Sequence, residues 1–235
     1  GLRAFAVLLV ILFHAFPALL PGGFIGVDVF FVISGFLITK IIVHDLEKGS
    51  FTIANFYRRR ILRIFPALLF VLLFCIAIGW LILLPEEYSQ LGNHISNGAI
   101  FLANFALKKE SGYFDVVAET KPLLHLWSLG IEEQFYLAWP LLVFLCCKKK
   151  WNLFRFFLAL ALLSFCINIY LMKKDGVADF YLPQSRFWEL ALGAMLSRLD
   201  SSLSERKSQI YSVLGFFLMG RSEEHTSELQ SHHDL

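Results

Sequence analysis

The sequence predicts an all-α fold, a polytopic bundle of transmembrane helices. Three observations carry this. Hydrophobic residues make up 57% of the 235 residues and charged residues 17%, against roughly a quarter charged in soluble domains. The mean hydropathy is +0.63. Apolar runs recur at close to the roughly 20 residues that a spanning helix needs, separated by shorter polar stretches. About seven spans are expected, plus one short segment that is re-entrant or interfacial, in a bundle truncated at its C-terminal end. Such a chain takes the lipid bilayer as its first partner, and no nucleic-acid partner is expected.

Residues 4–20 and 24–43 form the first two runs, joined at Pro21-Gly22-Gly23. The first leads straight into the second without a small-residue cleavage pattern, so no cleaved signal peptide is read. The chain opens without Met, and its first residues are expected to be missing. Residues 44–64 read as a polar, basic loop, and 65–84 as a third span closed by Pro85-Glu86-Glu87. The stretch 94–107, with Asn97 and Asn104 inside it and Asn93 before it, is too short for a span and is placed as the re-entrant or interfacial segment.

Residues 108–124 read as a second polar loop and 129–147 as a span stopped by Lys148-Lys149-Lys150. Residues 152–172 return across. Residues 173–186 read as a loop containing Pro183, 187–199 as a short apolar segment, and 209–220 as a run cut off before it crosses. With the N-terminus inside, fourteen Lys and Arg fall on the cytoplasmic side and six on the outer side, the bias expected of cytoplasmic loops.

Residues 1–220 are thus read as one membrane domain, incomplete at its end. The last fifteen residues, RSEEHTSELQSHHDL, break abruptly with that composition. They match the in-frame translation of a sequencing adapter and are read as an artefact, 221–235, outside the fold. The tail holds one Arg against three Glu and one Asp, so the membrane part is more basic than the formal charge of +2. Cys75, Cys146, Cys147 and Cys166 lie in or beside apolar runs without metal-ligand spacing, and are read as small apolar fillers. No metal is expected.

The residues that invite a chemical reading are ionisable groups inside apolar runs, which are functional candidates by default. Arg3 and His14 are eleven positions apart, and at about 100° per residue they share one helical stripe, roughly 16 Å apart along the axis. His14 has two readings. It is a helix-packing histidine, or a general base, because desolvation disfavours imidazolium and a neutral ring can take a proton from a hydroxyl. Arg3 suits an anion at the cytoplasmic rim.

In FYRRRILRIFPAL, Arg58, Arg59, Arg60 and Arg63 are either a positive-inside anchor or a clamp for phosphate, whose oxygens guanidinium forks bind bidentately. In LLHLWSLGIEEQFYLAWPLL, a continuous helix would put His125, Ser128, Glu132 and Tyr136 on one face at the outer mouth of a span. An aromatic belt explains Trp127, Tyr136 and Trp139. It leaves the adjacent carboxylates Glu132 and Glu133 in need of a partner or a wet cavity. Asp28 is a weaker candidate near the outer end of the second run. Ser34-Gly35 reads as a small-residue helix contact. Arg186, Trp188 and Glu189 are either an interfacial anchor or contributors to a pocket.

Taken in order, these blocks resemble the membrane-bound acyltransferase-3 family, which includes O-antigen and peptidoglycan O-acetylases. The blocks are Gly1-Leu2-Arg3-Ala4 with His14, Gly26-Val27-Asp28 through Ile38, Phe56-Tyr57-x-Arg59-Arg60-x-x-Arg63-x-x-Pro66, His125-x-Trp127-Ser128 through Tyr136, and Arg186-x-Trp188-Glu189. The wording around Lys121 to His125 is similar to the subgroup carrying an extracytoplasmic SGNH-type domain, which this sequence does not contain. Relatives have about ten spans.

The resemblance implies acyl transfer from cytosolic acyl-coenzyme A, with acetyl-coenzyme A as donor substrate, to a hydroxyl of an envelope polysaccharide or peptidoglycan. It implies a multi-pass protein of the bacterial inner membrane. Arg3 and His14 match the arginine and histidine needed for activity; Glu132 is counted with them as a catalytic candidate. Arg59, Arg60 and Arg63 match the cytoplasmic donor-binding motif, and His125, Ser128, Glu133, Tyr136 and Asp28 are expected to line the acceptor pocket. The competing class is a transporter or acyl-donor translocase in which His14 and Glu132 relay protons.

Overall fold

A computed structural model describes residues 2–16, 22–111 and 121–200. The predicted run 209–220 and the tail 221–235 lie outside the described residues, as do Gly1 and Pro21. Among the described residues there are helices and turns and no strand: α1 (Leu2–Ala15), α2 (Ile25–Glu47), α3 (Ile53–Ile82), α4 (Pro85–Ala99), α5 (Ala103–Glu110), α6 (Leu126–Lys148), α7 (Leu153–Lys174), α8 (Gly176–Tyr181) and α9 (Pro183–Asp200). Four of these, α2, α3, α6 and α7, are long and apolar enough to cross a membrane; α1 is apolar but shorter.

Several expected loops are helical. The basic loop 44–64 shrinks to the turn between Glu47 and Ile53, where Gly49 takes φ +67° and the Thr52 side chain accepts from the Asn55 N–H. The four arginines therefore ride on the first turns of α3. That helix has 30 residues, about 45 Å of rise against a hydrocarbon core of roughly 30 Å, so its basic turns extend past its apolar stretch. The stretch 94–107 is two short helices broken at residues 100–102, with Phe101 at φ +59°; neither is long enough to span. Residues 173–186 hold α8 and the start of α9. Asp175 accepts from the Ala178 N–H to begin the first, and Pro183 opens the second, where a missing N–H costs nothing.

The chain divides into two units, residues 1–40 with 189–235 and residues 41–188. In the first, α1 and α2 approach at Gly26, where a Cβ would overlap the Ala6 carbonyl and Val10. The Val32–Phe36 stretch of α2 crosses the Leu190–Gly193 stretch of α9 at Gly35 and Gly193; a Cβ on either would strike the other helix's backbone carbonyl. This is the small-residue crossing that lets membrane helices touch backbone to backbone.

In the second unit Leu68, Leu72, Leu91 and Leu123 form one buried apolar cluster. Tyr57 donates to the Leu137 carbonyl at 2.5 Å and Arg60 reaches Glu133, so α3 and α6 run antiparallel. A four-residue turn at 149–152 folds α7 back along α6, with the Asn152 side chain accepting from the Arg155 N–H. Trp139 packs on Phe157 at 4.9 Å between them.

Candidate functional site

In the first unit α1 is continuous through Leu2–Ala15, so Arg3 and His14 do lie on one stripe. Arg3 Nη2 donates to the Ser34 hydroxyl at 2.9 Å, and its guanidinium lies 5.0 Å from the centre of the Phe30 ring. Ser34 is buried, and Asp28 is half-buried in the first turn of α2.

His14 is exposed, not enclosed as the desolvation argument requires. The physical reason is that α1 buries a single residue, Ala6, in the contact running through Gly26, so little protein packs around the ring. His14 Nδ1 lies 2.8 Å from the Val10 carbonyl, one turn back. A carbonyl only accepts, so in the neutral ring Nδ1 carries the hydrogen and Nε2 the basic lone pair.

In the second unit one cluster joins two motifs that the sequence reading keeps apart. Arg60 Nη2 and Glu133 Oε1 form an ion pair at 2.7 Å, with side chains 14% and 13% exposed. The Arg60 guanidinium lies 3.5 Å from the centre of the Tyr136 ring, and the Tyr136 hydroxyl donates to Glu132. Glu133 thereby has the partner that a carboxylate in an apolar helix needs. An arginine at the inner rim and carboxylates at the outer mouth cannot both hold when the two touch. The cause is geometric: α3 starts at Ile53, so Arg60 sits seven residues, about 10 Å, inside it and at the level of the first third of α6.

The rest of the basic motif turns elsewhere. Arg63 is exposed, and Arg59 is exposed beside Asp45 at 3.6 Å, so Arg60 and Arg63 do not act as one fork. His125 is exposed just before α6, and Ser128 donates to the His125 carbonyl at 3.2 Å. Of the face expected to carry His125, Ser128, Glu132 and Tyr136, the last two are buried and bonded to each other.

Sequence reasoning missed the network beside this cluster. Gln134 Nε2 donates to the Phe101 carbonyl at 2.7 Å and lies 2.8 Å from Asn104 Oδ1, and Asn104 Nδ2 donates to the Tyr181 carbonyl at 3.0 Å. A Cβ on Gly130 would press on both Asn104 Oδ1 and the Phe101 carbonyl. The break between α4 and α5 thus has its carbonyl satisfied by α6. The available signal was a buried-type amide, Asn104, inside an apolar stretch facing a helix that carries a glycine.

The sequence pattern described as an acyltransferase domain matches residues 1–222. An uncharacterized protein of Haemophilus influenzae is 36% identical over 205 residues, covering 82% of this chain and 84% of the relative. The O-acetyltransferase OatA of Staphylococcus aureus is 37% identical over 204 residues, covering 84% of this chain and 33% of the relative. The chain therefore spans about a third of the length of that O-acetyltransferase. No solved structure matches it. With the ordered blocks, the apolar helices and a match over nearly the whole sequence, the chain belongs to the membrane-bound acyltransferase-3 family and is a multi-pass membrane protein.

Proposed function

We propose that this protein transfers an acyl group, acetyl in the first instance, from cytosolic acyl-coenzyme A to a hydroxyl of a cell-envelope glycan, in the bacterial inner membrane with its N-terminus in the cytoplasm. The family and the name of the O-acetyltransferase relative support an O-acetyltransferase. The observation that carries the chemical reading is His14. Its Nδ1 donates to the Val10 carbonyl, a bond that selects the tautomer with the basic lone pair on Nε2.

In this reading Nε2 takes the acceptor hydroxyl proton as the oxygen attacks the thioester carbonyl. The carbon–sulfur bond then breaks, and the imidazolium returns the proton to the departing thiolate. Arg59 and Arg63, exposed at the basic start of α3, bind the phosphates of the donor. Arg3 holds the stripe below the base through Ser34. Glu132, a further carboxylate candidate, is held in the second unit by the Tyr136 hydroxyl.

The test is transfer of label from acetyl-coenzyme A to envelope glycan in membranes expressing the full-length gene. His14→Ala is expected to lower the rate by ~10²- to 10⁴-fold, the usual contribution of a general base. A His14→Ala protein as fast as its parent removes the base assignment, and a parent that moves labelled donor across the membrane without acylating glycan makes the protein a translocase.

A further inference from the structure

The second unit holds another polar and aromatic cluster, where α7 and α8 meet the first turn of α6. Asn168 Nδ2 donates to both carboxylate oxygens of Asp179, at 2.9 and 3.1 Å. Phe180, next in sequence, is 41% exposed. The buried Trp127 backs it at 4.4 Å between ring centres, and the Arg186 guanidinium lies 5.4 Å from its own centre.

The local backbone does not need these side chains. Asp175 already caps α8, and the Ser185 hydroxyl, 2.6 Å from the Asp179 carbonyl and 2.8 Å from that of Leu182, ties the turn into α9. Asn168 occupies only two of the roughly four lone-pair positions of an ionised carboxylate, so both oxygens can still accept from a ligand.

An aromatic ring held rigid from behind, a half-buried carboxylate with accepting capacity and an amide beside it suit a ring with an apolar face and adjacent hydroxyls. The position agrees. Antiparallel α6 and α7 put this cluster at the end opposite the Lys148–Lys150 turn. Trp127 lies six residues, about 9 Å along α6, from Glu133 and the Arg60 pair.

From this arrangement we infer that Asp179, Asn168, Phe180 and Arg186, backed by Trp127, form a saccharide-binding subsite for the acceptor, on the side of the second unit away from its lysine turn. The subsite rests on the proposed acyl transfer to a glycan hydroxyl for its role, and on these contacts for its chemistry. Asp179 accepts from a pair of ring hydroxyls, and Phe180 offers its exposed surface to the C–H face of the sugar.

The experiment titrates the full-length protein in detergent with tetra-N-acetylchitotetraose and with maltotetraose, following tryptophan fluorescence. Saturable binding of at least one sugar is expected. Asp179→Ala and Phe180→Leu are expected to weaken it about tenfold or more, with the thermal unfolding of Phe180→Leu unchanged because the apolar volume is largely kept. Absence of saturable binding to either sugar, or parent-like binding by both variants, overturns the subsite. Label transfer from acetyl-coenzyme A, measured on the same samples, separates the two claims. Binding without transfer sinks the acyltransfer reading and leaves the subsite standing. Transfer with an acceptor KM unmoved by Phe180→Leu sinks the subsite and leaves the acyltransfer reading standing.

Discussion

Arg60 and Arg63 stand one helical turn apart on α3 and live in opposite surroundings. Arg60 is closed in between the Glu133 carboxylate and the Tyr136 ring, with its Nε buried and without a hydrogen-bond partner among the described residues. Arg63 is exposed. The same residue type in one motif thus stands in two environments. A guanidinium paired with a largely buried carboxylate ties one helix to another, whereas an exposed one keeps its charge open to solvent. Spacing alone says that the two can face one way; the partner on α6 decides that they do not.

The largest effect should come from breaking the closed side. Removing one member of a buried pair strands the other charge, which costs about 3–5 kcal/mol. Arg60→Ala and Glu133→Ala should each lower the unfolding temperature in detergent sharply. Replacing both by apolar residues of similar volume, Arg60→Met with Glu133→Leu, should recover much of the loss. Unchanged unfolding in either single variant would show that the pair does not hold α3 to α6.

The open side predicts a different pattern. Arg63→Ala should leave unfolding unchanged while raising the donor KM by roughly tenfold, the loss of one charge-assisted phosphate contact. A fall in stability without a change in donor KM would reverse the two roles.

Much of the fold was legible because burial in lipid leaves long apolar runs. The second and third spans and the pair at 129–147 and 152–172 each correspond to one helix, overrunning it by at most two residues at an end and extended by the structure elsewhere. What was not legible is where amphipathic turns continue a helix beyond its apolar part. Arg58 to Arg63 look like loop residues by hydropathy, yet Thr52 caps the helix before them. The candidate site divides the same way. The Arg3 and His14 stripe follows from helical arithmetic within one element. The Arg60 contact with Glu133 joins residues 73 apart in the chain, and only the antiparallel register of α3 and α6 sets it.

Gln134 sharpens the comparison by standing next to Glu133 with a neutral side chain. Its amide satisfies the Phe101 carbonyl at the break between α4 and α5 and lies against buried Asn104. Gln134→Ala should therefore cost about 1–3 kcal/mol, the desolvation left on an unsatisfied buried group. That is less than the loss for Glu133→Ala, where a full charge is stranded. Equal losses would mean that charge contributes nothing special at the α3 and α6 contact.

The smallest effect concerns a carboxylate outside the candidate spans that is held by an amide where Glu133 has an arginine. Burial raises the Asp179 carboxyl above the usual aspartate range, against the opposing pull of Arg186 and the Asn168 amide. A raised value in the folded state means that the native protein holds this proton more tightly than the unfolded chain does. Asp179 therefore contributes stability that grows as pH falls from its folded value toward the ordinary aspartate value, and withdraws it as pH rises again. Asp179→Asn should flatten that acidic part of the unfolding profile by a small amount, since the side chain is only partly buried. Arg63→Ala should leave it in place. A parent whose stability drops as pH falls through that window, with the drop absent in Asp179→Asn, would put Arg186 in the position relative to Asp179 that Arg60 holds relative to Glu133, and the contrast between an amide-held and an arginine-held carboxylate would vanish.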